Sequence, residues 1–168
     1  GTEFTYLGLR DKCVEFEDPS EMAALIGGYI ERLRPSTVIT FVPGYGVHPD
    51  HDAIGQFTVL AVRAMQPAAR PRLLGVAVDG NGLTGPTVVS DITSTSKRKI
   101  DALRAHRSQT ASMFADWEKT WDVDTMTPLP GAPQPDAQTL AWRERLTKRE
   151  TYYLIDPDAP TLLDPVPA

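Results

Sequence analysis

From Ser36 to Val42 the chain reads STVITFV, a run that is mostly β-branched and almost entirely apolar. Such a run suits a strand covered on both faces, which is the situation of a strand inside a parallel sheet. The sequence PGYG (Pro43–Gly46) then stops it. Helical patterns lie on both sides. Asp18-Pro19-Ser20 offers a cap and a proline for a helix entrance, and Met22, Leu25, Ile26, Tyr29, Ile30 and Leu33 follow at helical spacing until Pro35. A second helix is expected from about Pro49 to Met65, with Ile54, Phe57, Leu60, Ala61 and Ala64 turned inward.

The same alternation continues. Phe4–Leu9, Leu73–Val78 and Thr87–Ile92 read as further strands, and a long helix is expected from about Ser94 to Trp117. Thr127–Asp136, rich in proline, reads as a loop before a last helix, Ala137–Arg149, and an edge strand at TYYLI (Thr151–Ile155). Strands separated by helices imply βαβ units, so the expected class is α/β with a mostly parallel sheet. One domain over residues 1–155 and a proline-rich, extended tail over 156–168 are expected.

In parallel sheets ligands bind beyond the carboxyl ends of the strands. That is where the sequence places His48-Pro49-Asp50-His51, followed by Asp52. Pro49 suits the first helical position, which puts His48 at the cap and His51 in the first turn. The positive end of a helix disfavours imidazolium, and the neutral ring is the form that binds a metal. Asp50 or Asp52 can accept a ring N–H and fix the tautomer. Two imidazoles do not complete a catalytic zinc site, which usually takes three protein ligands and an open position. Read on its own, HPDH is equally well a polar helix cap.

Totals narrow the alternatives. A net charge of −5 leaves no basic footprint for nucleic acid. No apolar run approaches the roughly 20 residues that span a bilayer, and no signal-peptide pattern opens the chain, so no membrane is expected and a cytoplasmic setting is. One cysteine, Cys13, excludes an internal disulfide framework. No GxGxxG or P-loop is present.

The residues around HPDH add a further reading. GYGVHPDHDAIG (Gly44–Gly55) resembles the second signature of the LmbE/PIG-L family of zinc-dependent de-N-acetylases. LGLRDKCVEFED (Leu7–Asp18), RPSTVITFVPGYGVHPDHDAIG and KIDALRAHRSQT (Lys99–Thr110) look, in that order, like blocks of its bacillithiol-pathway branch. The resemblance implies a Rossmann-like three-layer fold, one Zn2+ per site, and an amino-sugar conjugate as the small-molecule partner, with N-acetylglucosaminyl malate nearest. It carries zinc ligation to His51, oxyanion stabilisation to His48 with help from Tyr45, and orientation of a histidine to Asp50. Arg10, Asp11 and His106 fall in family-like blocks and are substrate-binding candidates.

The family's first signature, of the type A-H-P-D-D-E, is absent from this sequence. The expectation is a missing N-terminal segment of roughly 60 residues, the size of a βαβ unit with its turns, supplied in the same polypeptide or as a separate chain. Self-association is a further expectation from relatives. The rival readings are a non-catalytic sugar-binding module and an interaction domain whose HPDH only caps a helix. Arg104 and Arg107 read as a solvated face, Cys13 as a small buried side chain rather than a nucleophile, and Trp117, Trp121 and Trp142 as packing residues rather than a sugar roof.

Overall fold

A computed structural model describes residues 3–78, 80, 82–161 and 163–164. It is an α/β structure that divides into two compact units, residues 1–88 with 152–168 and residues 89–151.

In the first unit, helix α1 (Pro19–Leu33) starts as the sequence predicts. The Asp18 carboxylate accepts the N–H groups of Ser20 at 2.8 Å and Glu21 at 3.0 Å, and Pro19 occupies the first helical position. Arg34, in the left-handed region at φ 48°, ends it before Pro35. Strand β1 (Thr37–Phe41) follows, then α2 (Pro49–Ala64) and β2 (Arg72–Val76). β1 and β2 pair in parallel, Val38 against Leu73 and Phe41 against Val76, so β1-α2-β2 is one βαβ unit. Helix α2 is buried along most of its length. Val59 and Val62 join Ile30 and Leu73 in one apolar cluster, while Phe57 and Ala53 join Met22 in another. Withdrawing a side chain such as Phe57 from water contributes about 1.5–3 kcal/mol.

Four strands form the main sheet in the order β1-β2-β6-β3, with β3 at Thr87–Asp91 and β6 at Arg149–Leu154. The expectation of a mostly parallel sheet holds for β1 and β2 only. β6 pairs antiparallel with β2, Leu74 opposite Leu154. Alternation of strands and helices along the chain does not by itself set strand direction. β6 follows the last helix with Lys148 alone between them and returns beside β2 in the opposite sense, and mixed sheets with such antiparallel strands are common in α/β folds. β6 also lies inside the sheet rather than at its edge, whereas β1, the most apolar strand, lies at the edge with Ile39 exposed. Phe4–Leu9 is not a strand: it runs without regular structure, and Phe4, Tyr6 and Leu7 are exposed. Aromatic β propensity without a neighbouring ladder does not make a strand.

Pro157, Asp158, Ala159 and Asp164, in the stretch expected to be an extended tail, are held against α2 and the residues after it. Arg63 on α2 donates to the carbonyls of Pro157 and Ala159 and to the Asp164 carboxylate, each at 2.6 Å, and Arg70 pairs with Asp158 at 2.8 Å.

The second unit holds α3 (Ser96–Ala105), α4 (Arg107–Trp117), a short antiparallel pair β4 (Trp121–Asp122) and β5 (Thr127–Pro128), and α5 (Ala137–Thr147). The expected long helix is broken at His106, whose backbone (φ −79°, ψ 51°) leaves the helical region. Its carbonyl accepts the N–H groups of Gln109 and Thr110, which starts α4. Ile100, Phe114, Val123, Met126 and Leu146 form the core. Trp121 is buried and Trp117 packs on that core, whereas Trp142 is half exposed beneath Arg145. Arg104 is not simply solvated: it pairs with Asp124 at 2.6 Å and lies over the Phe114 ring.

Among the described residues, no helix is long and apolar enough to cross a membrane.

Candidate active site

The site is built at the carboxyl end of β1. Val42 still donates to Val76 along the sheet at 2.9 Å, and the chain then turns, Tyr45 N–H closing on the Val42 carbonyl at 3.0 Å. Val47 sits in the left-handed region at φ 66°. That conformation costs a β-branched residue roughly 1–2 kcal/mol, so something must enforce it. Two side chains of the following helix do. One Asp52 oxygen accepts the N–H groups of Gly44 at 2.8 Å and Gly46 at 2.9 Å, and the His51 ring bonds the Gly46 carbonyl at 2.9 Å. Gly46 has to be glycine for this closure, because a Cβ there would lie 2.6 Å from the Cβ of His51.

His48 is extended (φ −129°, ψ 135°) and caps α2, with Pro49 in the first turn. Its Nδ1 accepts the N–H of Asp50 at 3.1 Å. A backbone N–H can only donate, so this nitrogen carries the lone pair, and the neutral ring holds its proton on Nε2. His51 is arranged the opposite way. Its Nδ1 faces the Gly46 carbonyl, which can only accept, so Nδ1 holds the proton and Nε2 the lone pair. The His51 ring lies flat on Phe41, with centroids 4.1 Å apart and planes within 6°, which fixes its direction. The two imidazole centroids are 5.3 Å apart. Two rings of the same chemical type thus present opposite functions, a lone pair on His51 and an N–H donor on His48.

Asp50 is buried, and its carboxylate lies 4.0 Å from the His48 ring. Its oxygens accept the backbone N–H groups of Lys12 at 2.7 Å and Val14 at 3.1 Å. Arg10 and Asp11 stand exposed at the tip of the turn that these bonds hold. The structure therefore brings Arg10, Asp11, Tyr45, His48, Asp50 and His51 into one unit. His106 lies in the other unit, exposed at the junction of α3 and α4. Cys13 is a free, half-buried thiol in the same turn as Arg10.

Neither aspartate receives a ring N–H, which the sequence reading allowed; the Gly46 carbonyl does so for His51. Gly46 and Phe41 are the contributors that sequence reasoning passed over, and Asp52, a candidate to take a ring N–H, accepts the Gly44 and Gly46 amides instead. The signal for Asp52 was available: an acidic residue in the first turn of a helix can reach back to the N–H groups preceding it, as in a capping box.

As a metal donor, His51 fits: its tautomer is set by a backbone carbonyl and its ring is braced by Phe41. Among the described residues, no group of three or more His, Cys, Asp or Glu side chains is disposed to hold an ion. A cavity of about 580 Å³ opens along the same turn, lined by Val42, Pro43, Gly44, Leu83, Tyr153 and Asp156 among others, and neither histidine lines it.

Residues 1–62 match the family profile described as PIG-L: GlcNAc-PI de-N-acetylase. Over 116 residues, 67% of this chain and 52% of the relative, the sequence is 42% identical to a probable N-acetyl-alpha-D-glucosaminyl L-malate deacetylase 2 of Bacillus subtilis. A protein of the same name from Bacillus cereus is 44% identical over 66% of this chain and 51% of its own length. A 1D-myo-inositol 2-acetamido-2-deoxy-alpha-D-glucopyranoside deacetylase of Kineococcus radiotolerans is 30% identical over 70% of this chain and 43% of its own length. The chain spans about half the length of the Bacillus relatives. No solved structure matches it.

Proposed function

From this kinship with PIG-L-type deacetylases, we propose that the whole protein hydrolyses the N-acetyl group of an amino-sugar conjugate. N-acetylglucosaminyl L-malate is the substrate proposed first, because that compound names the relatives from both Bacillus species. A water oxygen bonds to the acetyl carbon, the carbon–nitrogen bond breaks, the nitrogen takes up a proton, and acetate and a free amine leave.

The observation that carries this reading is the pair of opposed tautomers. The lone pair of His51 Nε2 is one ligand for a divalent cation, zinc in the first instance. The other ligands are proposed to come from the part of the relatives' length that this chain does not cover. When bound, zinc supplies Lewis acidity that activates water and polarises an amide carbonyl. The chain's own contribution is positional. His48 offers Nε2–H to the oxygen on which negative charge develops, and Tyr45 flanks the same turn. Removing one such donor typically lowers kcat by about 10²–10³. Arg10 and Asp11 are proposed to contact the substrate on its polar side, and His106 to take part in substrate binding. The Rossmann-like, three-layer arrangement is proposed for the whole protein, whose further strands would cover the exposed edge of β1.

The test uses the full-length protein loaded with zinc. Free amine is measured from N-acetylglucosaminyl malate and from the inositol conjugate, beside His51→Ala. Turnover by the parent and loss of both bound zinc and turnover in the variant support the reading. Binding of the sugar without amine release selects a sugar-binding module instead.

A further inference from the structure

We propose that Asp50 is a positioning residue that acts on the Arg10–Cys13 turn, through the backbone amides of Lys12 and Val14, rather than through the ring of His48. The inference deepens the deacetylase reading and rests on it for the claim that this turn meets the substrate.

The geometry separates two jobs for one carboxylate. Asp50 is buried, 9% exposed, in the first turn of α2. One oxygen accepts from Lys12 N–H at 2.7 Å and the other from Val14 N–H at 3.1 Å, across 38 and 36 residues of sequence. Bonds in which the acceptor is ionised are roughly twice as strong as neutral ones. The His48 ring stands 4.0 Å from the nearer oxygen, too far for a hydrogen bond, and its facing nitrogen is already occupied by the Asp50 backbone N–H. Asp50 therefore orients His48 with its main chain and spends its side chain elsewhere.

The turn that receives this carboxylate has little else to define its tip. Residues 3–10 carry no regular secondary structure, and Lys12 is left-handed at φ 59°. Leu9 on one side and Val14 on the other pack against the Met22, Ala53 and Phe57 cluster. Between those two apolar anchors the turn closes on itself through Cys13 N–H to the Arg10 carbonyl at 3.2 Å, and the Asp50 carboxylate ties it to α2, setting where the exposed Arg10 and Asp11 stand relative to the first turn of that helix. Releasing it frees the tip while leaving His48 and His51 in place. The effect falls on substrate binding more than on chemistry.

The experiment has two arms on the full-length protein. In the parent, amide hydrogen exchange at Lys12 and Val14 is expected to be at least tenfold slower than at Asp11. In Asp50→Asn, where one acceptor oxygen becomes an NH₂ facing a backbone N–H, that protection should fall at least tenfold. KM for the acetylated conjugate should rise about tenfold or more while kcat stays within about threefold. A fall in kcat with KM and exchange unchanged overturns the proposal and returns Asp50 to the imidazole. Parent amides of Lys12 and Val14 exchanging as fast as that of Asp11 overturn it even where the variant does not fold. Exchange needs no turnover: a parent that hydrolyses nothing sinks the deacetylase reading, and the amide clamp is still decided.

Discussion

Helices α1 and α2 open with the same device and use it differently. Each begins with a capping residue followed by proline, Asp18-Pro19 and His48-Pro49. In α1 the cap is among the residue types that serve helix ends best, and one oxygen of its carboxylate accepts from both Ser20 and Glu21. In α2 the cap is a histidine, which capping preferences do not select. One ring nitrogen does the capping, and the other is the one for which an oxyanion contact is proposed. The glycines differ in the same sense. Gly28 in α1 has open space where a Cβ would go, whereas a Cβ on Gly55 in α2 would lie 2.6 Å from the carbonyl oxygen of Phe41, the residue whose ring braces His51. One helix is optimised for holding together; the other gives up local preference to deliver two imidazoles.

The sharpest way to break this contrast is His48→Asn in the full-length protein. Asparagine is a better cap, so stability should be unchanged or higher by up to about 1 kcal/mol. The Nε2–H donor is lost, so kcat should drop about 10²–10³-fold. A variant that is more stable and equally active would make His48 only a cap. Next in size is the glycine pair, followed by denaturant unfolding. Gly55→Ala drives a methyl into backbone that cannot yield and should destabilise by about 1–3 kcal/mol. Gly28→Ala in α1 should stabilise by about 0.5–1 kcal/mol. Equal effects of the two would erase the difference in packing between α1 and α2.

The smallest effect concerns Asp18. The Ser20 hydroxyl first, then the backbone N–H groups of Glu21 and Ser20, hold its carboxyl below the usual carboxylate range. Its folded-state pKa is depressed, so its contribution to stability is fully present above the unfolded value of about 3.9 and is lost as pH falls through the folded value. In melting curves between about pH 3 and 7, the parent's advantage over Asp18→Asn should be a few degrees at most and should shrink toward the acid end. A gap that widens in acid would contradict the cap.

Much of the site was legible because it is local. Pro49 at a first helical position, His48 before it and His51 one turn on are consequences of spacing, and the end of an apolar strand is where ligands gather in α/β folds. The sheet was less legible. Nothing in RETYYL (Arg149–Leu154) states which strand it will pair with, and its place between β2 and β3 is a property of the assembled sheet. FTYLGL (Phe4–Leu9) has strand composition and no ladder. His106 breaks a helix that its sequence periodicity would continue.

Residue order alone was enough for the two helix starts, the strand before HPDH and the identity of the two imidazoles, because each depends on groups within one turn of each other. The tautomer of His51, the left-handed Val47, the partners of Asp50 and the direction of β6 needed the folded chain. Each is set by a hydrogen bond or a ladder whose other half arrives from elsewhere: from Gly46 folding back over His51, from Lys12 and Val14, from β2. A donor's chemistry is written in its side chain, but which acceptor it meets is a property of three-dimensional neighbours.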